Sequence, residues 1–153
     1  MALIIHPASK DLESFQHTVL TNGCFDILHI GHIRLLQYAK ALAGAHGTVI
    51  VALNSDSSVK RLKGSARPVY PLVDRIAFLE ALHFVDVITW YENDSPETVI
   101  QKVKPKFLLK GGDYSIDKII GASFVKSYGG HVKIFPYQNG HSTSELARKI
   151  SSL

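Results

Sequence analysis

Two histidines three positions apart are the residues best placed to do chemistry in this chain. They stand in His29-Ile30-Gly31-His32, where a short β-rich run gives way to a helical pattern, so both imidazoles are expected on one side of a helix start. Imidazole N–H groups, the free amides of the first helical turn and the helix dipole all favour negative charge at one point. Gly31 lets a ligand approach the backbone closely. The pattern therefore indicates a phosphate site.

Two other interpretations of the histidine pair stay open from the residues alone. The pair can be structural and partly buried, since short motifs often occur without the function they suggest. A zinc site is disfavoured because no third ligand is evident and the spacing is not that of the HExxH motif.

The chain also lacks GxxxxGK followed by Ser or Thr, and lacks GxGxxG after its first strand, so a P-loop and the dinucleotide fingerprint are excluded.

A second candidate is a basic segment between residues 60 and 75, which begins as a predicted loop, residues 60–68, after the second strand. It contains five basic residues, Lys60, Arg61, Lys63, Arg67 and Arg75, and one acidic residue, Asp74. Such a segment repels itself unless anions bind to it. We expect it to be mobile when no anion is bound and to close on a triphosphate, although a solvated basic loop is the simpler interpretation.

The elements that position these residues follow from an alternation of strands and amphipathic helices, which predicts a parallel sheet covered on both faces. The predicted strands are residues 19–21, 48–53, 86–90, 107–109 and 131–135, and the predicted helices are residues 30–43, one opened by Pro71, 96–103 and 146–152. We expect an α/β fold with a Rossmann-like, doubly wound, parallel five-stranded sheet and helices on both faces. Residues 1–17 are assigned to an N-terminal extension and residues 18–153 to a single domain.

Polar residues collect after four of the predicted strands. They are residues 21–26, Asn54-Ser55-Asp56, Lys110-Gly111-Gly112-Asp113 and residues 139–144. In an open α/β sheet, ligands bind beyond the carboxyl ends of the strands, at the point where the strand order reverses. We therefore expect these four segments to meet around one ligand site.

Composition limits the classes of function. The 153 residues are 46% hydrophobic and 20% charged, which suits one globular domain. No run approaches the roughly 18 apolar residues of a membrane span, and the first residues are too short and uncharged for a signal peptide. A single cysteine, Cys24, excludes an internal disulfide and indicates a cytoplasmic protein. The net charge of +4 predicts an anionic partner. A nucleic-acid partner is disfavoured, because the basic residues cluster at the phosphate loops and no RNP or KH motif is present.

The HxGH motif after the first strand, together with Ser142-Thr143-Ser144 at the mouth of the last predicted helix, resembles the nucleotidyltransferases of the cytidylyltransferase-like superfamily. The resemblance runs from about Val19 to Ile150. Within that superfamily the chain is most similar to the D-glycero-β-D-manno-heptose 1-phosphate adenylyltransferases. The segments that carry this likeness are residues 21–29, 54–56, 60–64, 67–68, 110–114 and 139–143.

This resemblance implies transfer of AMP from ATP to D-glycero-β-D-manno-heptose 1-phosphate, giving ADP-heptose and pyrophosphate for lipopolysaccharide or a related glycan. The alternative is a cytidylyltransferase that uses CTP and acts on glycerol 3-phosphate or another alditol or sugar phosphate. The glycerol-3-phosphate enzymes carry Arg-Thr-Glu-Gly-Ile-Ser-Thr-Thr before the last helix, whereas residues 137–144 here contain no arginine. This difference favours the adenylyl interpretation.

The resemblance also implies roles for individual residues. Catalytic roles fall to His29, His32, Lys60 and Lys63. Nucleotide binding falls to Thr21, Asn22, Gly23, Cys24, Phe25, His29, His32, Lys110, Gly111, Asp113, Ser142 and Thr143. Sugar-phosphate binding falls to Asp26, Asn54, Asp56, Lys60, Arg61, Lys63 and Arg67. Mg²⁺ is the expected cofactor, held by phosphates and water rather than by side chains. ATP and a sugar 1-phosphate are the expected partners, and the family commonly forms homodimers.

Overall fold

Six parallel strands form one sheet in the structure, a computed structural model that describes residues 1–136, 150 and 152. The strands are β1 (Leu3–Ile4), β2 (Thr18–Gly23), β3 (Thr48–Asn54), β4 (Val87–Tyr91), β5 (Phe107–Gly111) and β6 (His131–Phe135). The helices are α1 (Ile30–Ala43), α2 (Asp56–Lys63), α3 (Leu72–Glu80), α4 (Glu97–Val103) and α5 (Ala122–Ser127), with short 3₁₀ helices at Lys10–Glu13 and Ile116–Lys118. All neighbouring strands are parallel, in the order β1-β4-β3-β2-β5-β6. The predicted α/β class is confirmed.

The described sheet has one strand more than the five predicted. Leu3 and Ile4 pair with Val87 and Ile88 at the outer edge of β4. The prediction missed this strand because it is only two residues long and both side chains are exposed, which leaves no alternation of apolar and polar residues. The segment assigned to an N-terminal extension is thus attached to the sheet, and its separation from the domain that follows stays a prediction.

The central strands are buried on both faces. Successive residues of β2 and β3 alternate between two apolar cores: Val19 and Val49 pack with α1 and α3, whereas Leu20 and Ile50 pack with α4 and α5. All four side chains are fully buried. This double burial is why the strands read as continuous apolar runs rather than as alternating patterns, and it confirms helices on both faces of a doubly wound sheet.

β2 lies in the middle of the sheet, and the chain extends the sheet from it in both directions. β3 and β4 lie on one side of β2, and β5 and β6 lie on the other. The strand order therefore reverses between β2 and β5. At such a point the helices of the two faces diverge and leave a crevice for a ligand beyond the carboxyl ends of the strands.

The helix that follows β2 has the bounds that its pattern predicts. α1 covers Ile30–Ala43 and ends at Gly44, where φ is 72° and the N–H group donates to the Lys40 carbonyl at 3.2 Å. Glycine adopts such a positive φ without steric cost. None of the helices in the described part of the chain is long and apolar enough to cross a membrane.

Candidate functional site

The two histidines stack at the mouth of α1, beyond the carboxyl end of β2. Their ring centroids are 3.8 Å apart, with an angle of 28° between the ring planes. His29 caps α1, and its carbonyl accepts from the N–H groups of His32 and Ile33 at 2.9 and 3.3 Å. The first turn of α1 contains no acidic residue, so no side chain in that turn offsets the positive end of the helix dipole. The geometry favours an anion here, as the spacing predicts.

His32 is neutral at physiological pH. Burial is the main cause that lowers the pKa of His32 to about 3, and the neighbouring His29 and Lys63 lower it further. The Nδ1 atom of His32 is buried and has no hydrogen-bond partner among the described residues. A bound anion would reverse the electrostatic cause of the shift. The ring is therefore suited to donate a hydrogen bond to a phosphate oxygen while it stays uncharged.

Phe25 shapes the turn between β2 and α1. Its backbone lies in the left-handed region at φ 46°, which bulky residues seldom adopt. The ring is buried, with its centroid 4.8 Å from that of the His32 ring, and a Cβ atom on Gly23 would lie 3.4 Å from it. Packing of this ring therefore connects the turn after β2 to the His32 ring.

Arg75 ties the carboxyl ends of β2 and β3 together. Its Nη1 atom donates to the main-chain carbonyls of Cys24 and Asn54 at 2.7 and 2.8 Å, and Nη2 donates to Asp56 at 2.7 Å. The side chain is fully buried and paired with Asp56, so the prediction that the positive charge of Arg75 belongs to a segment that needs visiting anions is wrong. Its place four residues before the buried Leu79 of α3 was the signal available in the sequence.

Asp26 and Arg67, both predicted to bind the sugar phosphate, form an ion pair with each other. Asp26 is buried and also accepts from the N–H groups of Val69 and Tyr70 at 2.8 and 2.9 Å. Burial acts to raise the pKa of Asp26, but these two N–H groups and the Arg67 guanidinium outweigh it and hold the pKa below its ordinary value. The pair fastens the segment before α3 to the turn after β2, and its contact with a substrate stays a prediction.

The segment predicted as a basic loop begins as a helix, α2. Ser55 caps this helix by accepting from the N–H group of Ser58 at 3.2 Å. Three basic residues fall in its last turn, where they stabilise the negative end of the helix dipole. The prediction of a loop is wrong here because the helix buries little apolar surface, chiefly Val59, so that no hydrophobic stripe marks it.

Charge repulsion within that segment is relieved by acidic residues from elsewhere in the chain. Three ion pairs do this, Arg61 with Asp94, Arg67 with Asp26 and Arg75 with Asp56. The expectation that only visiting anions could balance the segment is therefore wrong for these three arginines. Its closure on a triphosphate stays a prediction.

Lys60 and Lys63 remain exposed on α2. Lys63 lies close enough to His32 to contribute to the low pKa of that ring. Of the residues predicted to be catalytic, the structure therefore brings His29, His32 and Lys63 together, while Lys60 stands on the same helix one turn before Lys63.

A pocket of about 230 Å³ opens at the carboxyl end of β2, on the side opposite the histidine pair. Its polar wall is built by Asn22, Asn54, Tyr91, Asp94, Lys110 and Tyr114. Tyr91 belongs to the core that packs α4 and α5, whereas Phe25, beside His32, belongs to the core that packs α1 and α3. The pocket and the histidine pair therefore lie on opposite sides of the same sheet edge.

Lys110 brings positive charge to this pocket from the end of β5. Its Nζ atom donates to the Asn22 carbonyl at 3.3 Å, across the point where strand order reverses. Burial lowers the pKa of Lys110, and the nearby Cys24 acts in the opposite direction. A buried ammonium group held by a neutral carbonyl is strongly stabilised when an anion binds next to it.

Tyr91 is the residue of this site that the sequence pattern missed, because β4 ends at Tyr91 and not at Trp90 as predicted. The Tyr91 hydroxyl donates to Asn54 Oδ1 at 2.8 Å and accepts from Asn22 Nδ2 at 3.2 Å. Burial raises the pKa of Tyr91 to about 12. In the structure Tyr91 lies directly opposite Asn54 on the neighbouring strand, a register that the sequence pattern does not reveal.

The other residues predicted to bind nucleotide lie at the same edge where they are described. Thr21 is buried in β2, Gly23 and Cys24 lie at its end, Gly111 lies against Leu35 of α1, and Asp113 is exposed in the turn after β5. Gly112 in that turn has φ 129°, and a Cβ atom there would lie 2.7 Å from the Tyr114 ring. Ser142 and Thr143 lie outside the described residues.

The family of the chain follows from comparison with known proteins. The model of the cytidylyltransferase-like family matches residues 20–149, which contain the histidine pair, Arg75 with its partner Asp56, and the residues that line the pocket. This chain belongs to the cytidylyltransferase-like family. The match confirms the fold class and the nucleotidyltransferase class of enzyme that the resemblance implies.

Curated relatives of this cytidylyltransferase-like chain are similar over the same region. The bifunctional protein HldE of Marinomonas sp. (strain MWYL1) is 47% identical over 133 residues, which are 87% of this chain and 27% of that protein. The bifunctional protein HldE of Hahella chejuensis (strain KCTC 2396) is 47% identical over 132 residues, 86% of this chain and 27% of that protein. The chain thus spans about a quarter of the length of these relatives.

A solved structure shares the cytidylyltransferase-like fold. The lipopolysaccharide core biosynthesis protein from Thermoplasma volcanium GSS1 has a TM-score of 0.60 to this chain at 29% identity, covering 79% of this chain and 95% of that one.

In the described ranges, no group of three or more His, Cys, Asp or Glu side chains is arranged to hold a metal ion.

Proposed function

We propose that this domain transfers AMP from ATP to the phosphate of D-glycero-β-D-manno-heptose 1-phosphate, giving ADP-heptose and pyrophosphate. The main support for this proposal is the stacked pair of His29 and His32 at the positive end of α1, in a chain of the cytidylyltransferase-like family. The resemblance of residues 21–29 and 110–114 to heptose 1-phosphate adenylyltransferases supports the sugar. The similarity to a lipopolysaccharide core biosynthesis protein supports lipopolysaccharide or a related glycan as the destination of the product.

The proposed reaction depends on alignment and needs no general base. The phosphate of a sugar 1-phosphate already carries a negative oxygen at neutral pH, and this oxygen attacks the α-phosphorus of ATP. The new O–P bond forms while the bond from the α-phosphorus to the leaving pyrophosphate breaks. The site therefore has to hold two polyanions in line and stabilise the charge that gathers at the α-phosphate.

The histidine pair supplies hydrogen-bond donors where that charge gathers. Burial and the neighbouring His29 and Lys63 lower the pKa of His32 to about 3. The His32 ring therefore donates an N–H group without losing or gaining a proton. Lys63 adds positive charge beside it, and the free amides in the first turn of α1 add further donors. Loss of one preorganised donor of this kind typically lowers the rate roughly 10²–10³-fold.

The remaining polar residues divide between contact with substrates and support of the site. We assign Lys60 and Lys110 to the phosphates of the two substrates, because each brings a positive charge to the carboxyl edge of the sheet. The ion pairs of Asp26 with Arg67 and of Asp56 with Arg75 hold the shape of that edge. In this proposal they act through position and make no contact with the reacting atoms.

Mg²⁺, when bound, neutralises negative charge on the phosphates of ATP. The described residues offer no cluster of three side-chain ligands, so phosphate oxygens and water would hold the ion. We also propose that the domain acts in the cytoplasm as a homodimer, without a nucleic-acid or membrane partner. The exposed apolar side chains of Val69 and Val73, at 54% and 68%, support contact with a second copy.

A panel of pyrophosphate-release assays tests the proposed reaction. ATP and CTP are each combined with D-glycero-β-D-manno-heptose 1-phosphate and with glycerol 3-phosphate, in the presence of Mg²⁺. We expect release only with ATP and the heptose phosphate, and we expect His29→Ala to abolish most of it. Equal activity of His29→Ala and the unaltered protein would contradict the proposed site, and a preference for CTP and glycerol 3-phosphate would contradict the proposed substrates.

A further inference from the structure

Four hydrogen bonds in series run into the polar wall of the pocket and end at Asn22. Ser58 Oγ donates to the main-chain carbonyl of Asn93 at 3.0 Å, and Asn54 Nδ2 donates to Ser58 Oγ at 3.0 Å. The Tyr91 hydroxyl then donates to Asn54 Oδ1 at 2.8 Å. Asn22 Nδ2 donates to the Tyr91 hydroxyl at 3.2 Å. The series joins β2, β3, β4 and α2, and its members Asn22, Asn54 and Tyr91 form part of the polar wall of the pocket.

The direction of every hydrogen bond in the series follows from the main-chain carbonyl of Asn93, at the end opposite Asn22. A main-chain carbonyl can only accept, so the single hydrogen of the Ser58 hydroxyl is used on Asn93. Ser58 must then accept from Asn54, whose amide oxygen is thereby turned toward Tyr91. Tyr91 gives its only hydrogen to that oxygen and can only accept from Asn22. The amide nitrogen of Asn22 is therefore held toward Tyr91, and its amide oxygen is left as an acceptor.

Burial makes this arrangement stiff. Ser58 is fully buried, and Asn54 and Tyr91 are each 4% exposed. Reversal of any one bond would place two donors or two acceptors face to face without water to satisfy them. The pKa of Tyr91, raised by burial to about 12, also keeps the hydrogen on its hydroxyl at neutral pH.

Asn22 lines the pocket together with Lys110. The histidine pair, which binds the triphosphate in the proposed function, lies on the opposite side of the sheet edge. This leaves the pocket, with Asn22 and Lys110, for the phosphorylated sugar, in place of the nucleotide-binding role that the resemblance implies for these two residues. Lys110 supplies a cation for a phosphate, and an amide oxygen recognises a hydroxyl group that donates. We propose that Tyr91 is a positioning residue that fixes Asn22 as the hydrogen-bond acceptor for one hydroxyl of the phosphorylated sugar. This inference rests on the proposed function.

Tyr91→Phe removes the hydroxyl, keeps the ring and frees the Asn22 amide to turn. We expect the KM for D-glycero-β-D-manno-heptose 1-phosphate to rise about tenfold while the KM for ATP stays within about twofold. Tyr128→Phe is the matched control. It removes a hydroxyl that donates to the Pro105 carbonyl at 2.9 Å, just before the start of β5 and therefore at the far end of the sheet from the pocket. This control should leave both KM values unchanged.

Monodeoxy analogues of the heptose phosphate separate positioning from general loosening. The unaltered protein should discriminate about tenfold against the analogue that lacks the recognised hydroxyl, and Tyr91→Phe should discriminate less than about twofold. Ser58→Ala, which changes a residue outside the pocket lining, should act in the same direction through the series. Should Tyr91→Phe not fold, Ser58→Ala carries the same comparison.

Two negative outcomes are distinguishable. Turnover by the unaltered protein with unchanged discrimination in both variants overturns the role of Tyr91 and leaves the proposed function intact. So does an equal rise in the KM values for ATP and for the sugar. Absence of turnover by the unaltered protein with any sugar phosphate overturns the proposed function, and the role of Tyr91 falls with it.

Discussion

Arg75 and Asp56 form an ion pair of 2.7 Å in which the guanidinium group is fully buried and the carboxylate is 40% exposed. The same guanidinium group donates to the main-chain carbonyls of Cys24 and Asn54. It therefore satisfies two carbonyls at the ends of β2 and β3, from which the histidine turn and α2 both start. Removal of this buried charge while its hydrogen-bond partners stay in place is therefore strongly destabilising.

Arg75→Met should lower the free energy of unfolding by about 3–5 kcal/mol, because Asp56 and two buried carbonyls lose their donor. Arg61→Met is the matched control, since the Arg61–Asp94 pair is about half exposed on both sides. This control should lose less than about 1 kcal/mol. Urea unfolding followed by fluorescence measures both values. Equal losses in the two variants would show that the buried position of Arg75 contributes nothing special.

The pKa of His32 predicts how stability depends on pH. Below pH 6.5 the unfolded chain binds a proton at this ring, whereas the folded protein does not until about pH 3. Stability therefore falls as the pH is lowered through this window, by at most about 1.4 kcal/mol per pH unit from this group. His32→Asn should show a shallower fall than the unaltered protein between about pH 6 and about pH 4.5. Identical slopes would mean that His32 is not held neutral by the fold. The lowered pKa of Asp26 also makes stability fall toward low pH, mainly near and below its ordinary value of 3.8, but both variants contain Asp26 and share this contribution.

Lys63 should matter more for catalysis than other exposed lysines. It lies near enough to His32 to influence the pKa of that ring, and the proposed triphosphate site needs positive charge there. Lys63→Met should lower kcat/KM for ATP at least about tenfold. Lys106→Met, beside the amino end of β5, should leave kcat/KM for ATP unchanged. If steady-state kinetics show the same small effect for both, the charge of Lys63 plays no part at the triphosphate.

Elements with strong local signals were predictable from the sequence. The bounds of α1 match its helical pattern, and β6 covers the predicted residues 131–135. The meeting of polar strand ends at one edge also follows, because parallel strands direct all their carboxyl ends to the same side. The histidine pair was predictable because its spacing and its place before a helix are both local features.

What the sequence pattern did not predict depends on contacts between distant residues. Arg67 reaches Asp26 across 41 positions, and Tyr91 reaches Asn54 across 37. Such pairings leave no periodicity in the chain, so the sequence pattern predicts neither the ion pair of Arg67 with Asp26 nor the place of Tyr91 in the site. α2 was missed for a related reason: its stability comes from its Ser55 cap and its charges rather than from an apolar stripe.

Transfer of label from ATP radiolabelled at the α-phosphate to D-glycero-β-D-manno-heptose 1-phosphate shows directly whether this domain makes ADP-heptose and whether His32 takes part. The measurement compares the unaltered protein with His32→Ala and with His46→Ala, the second of which changes an exposed histidine outside the site. We predict labelled ADP-heptose from the unaltered protein and from His46→Ala, and a rate roughly 10²–10³-fold lower from His32→Ala. Equal rates from His32→Ala and His46→Ala would contradict the account.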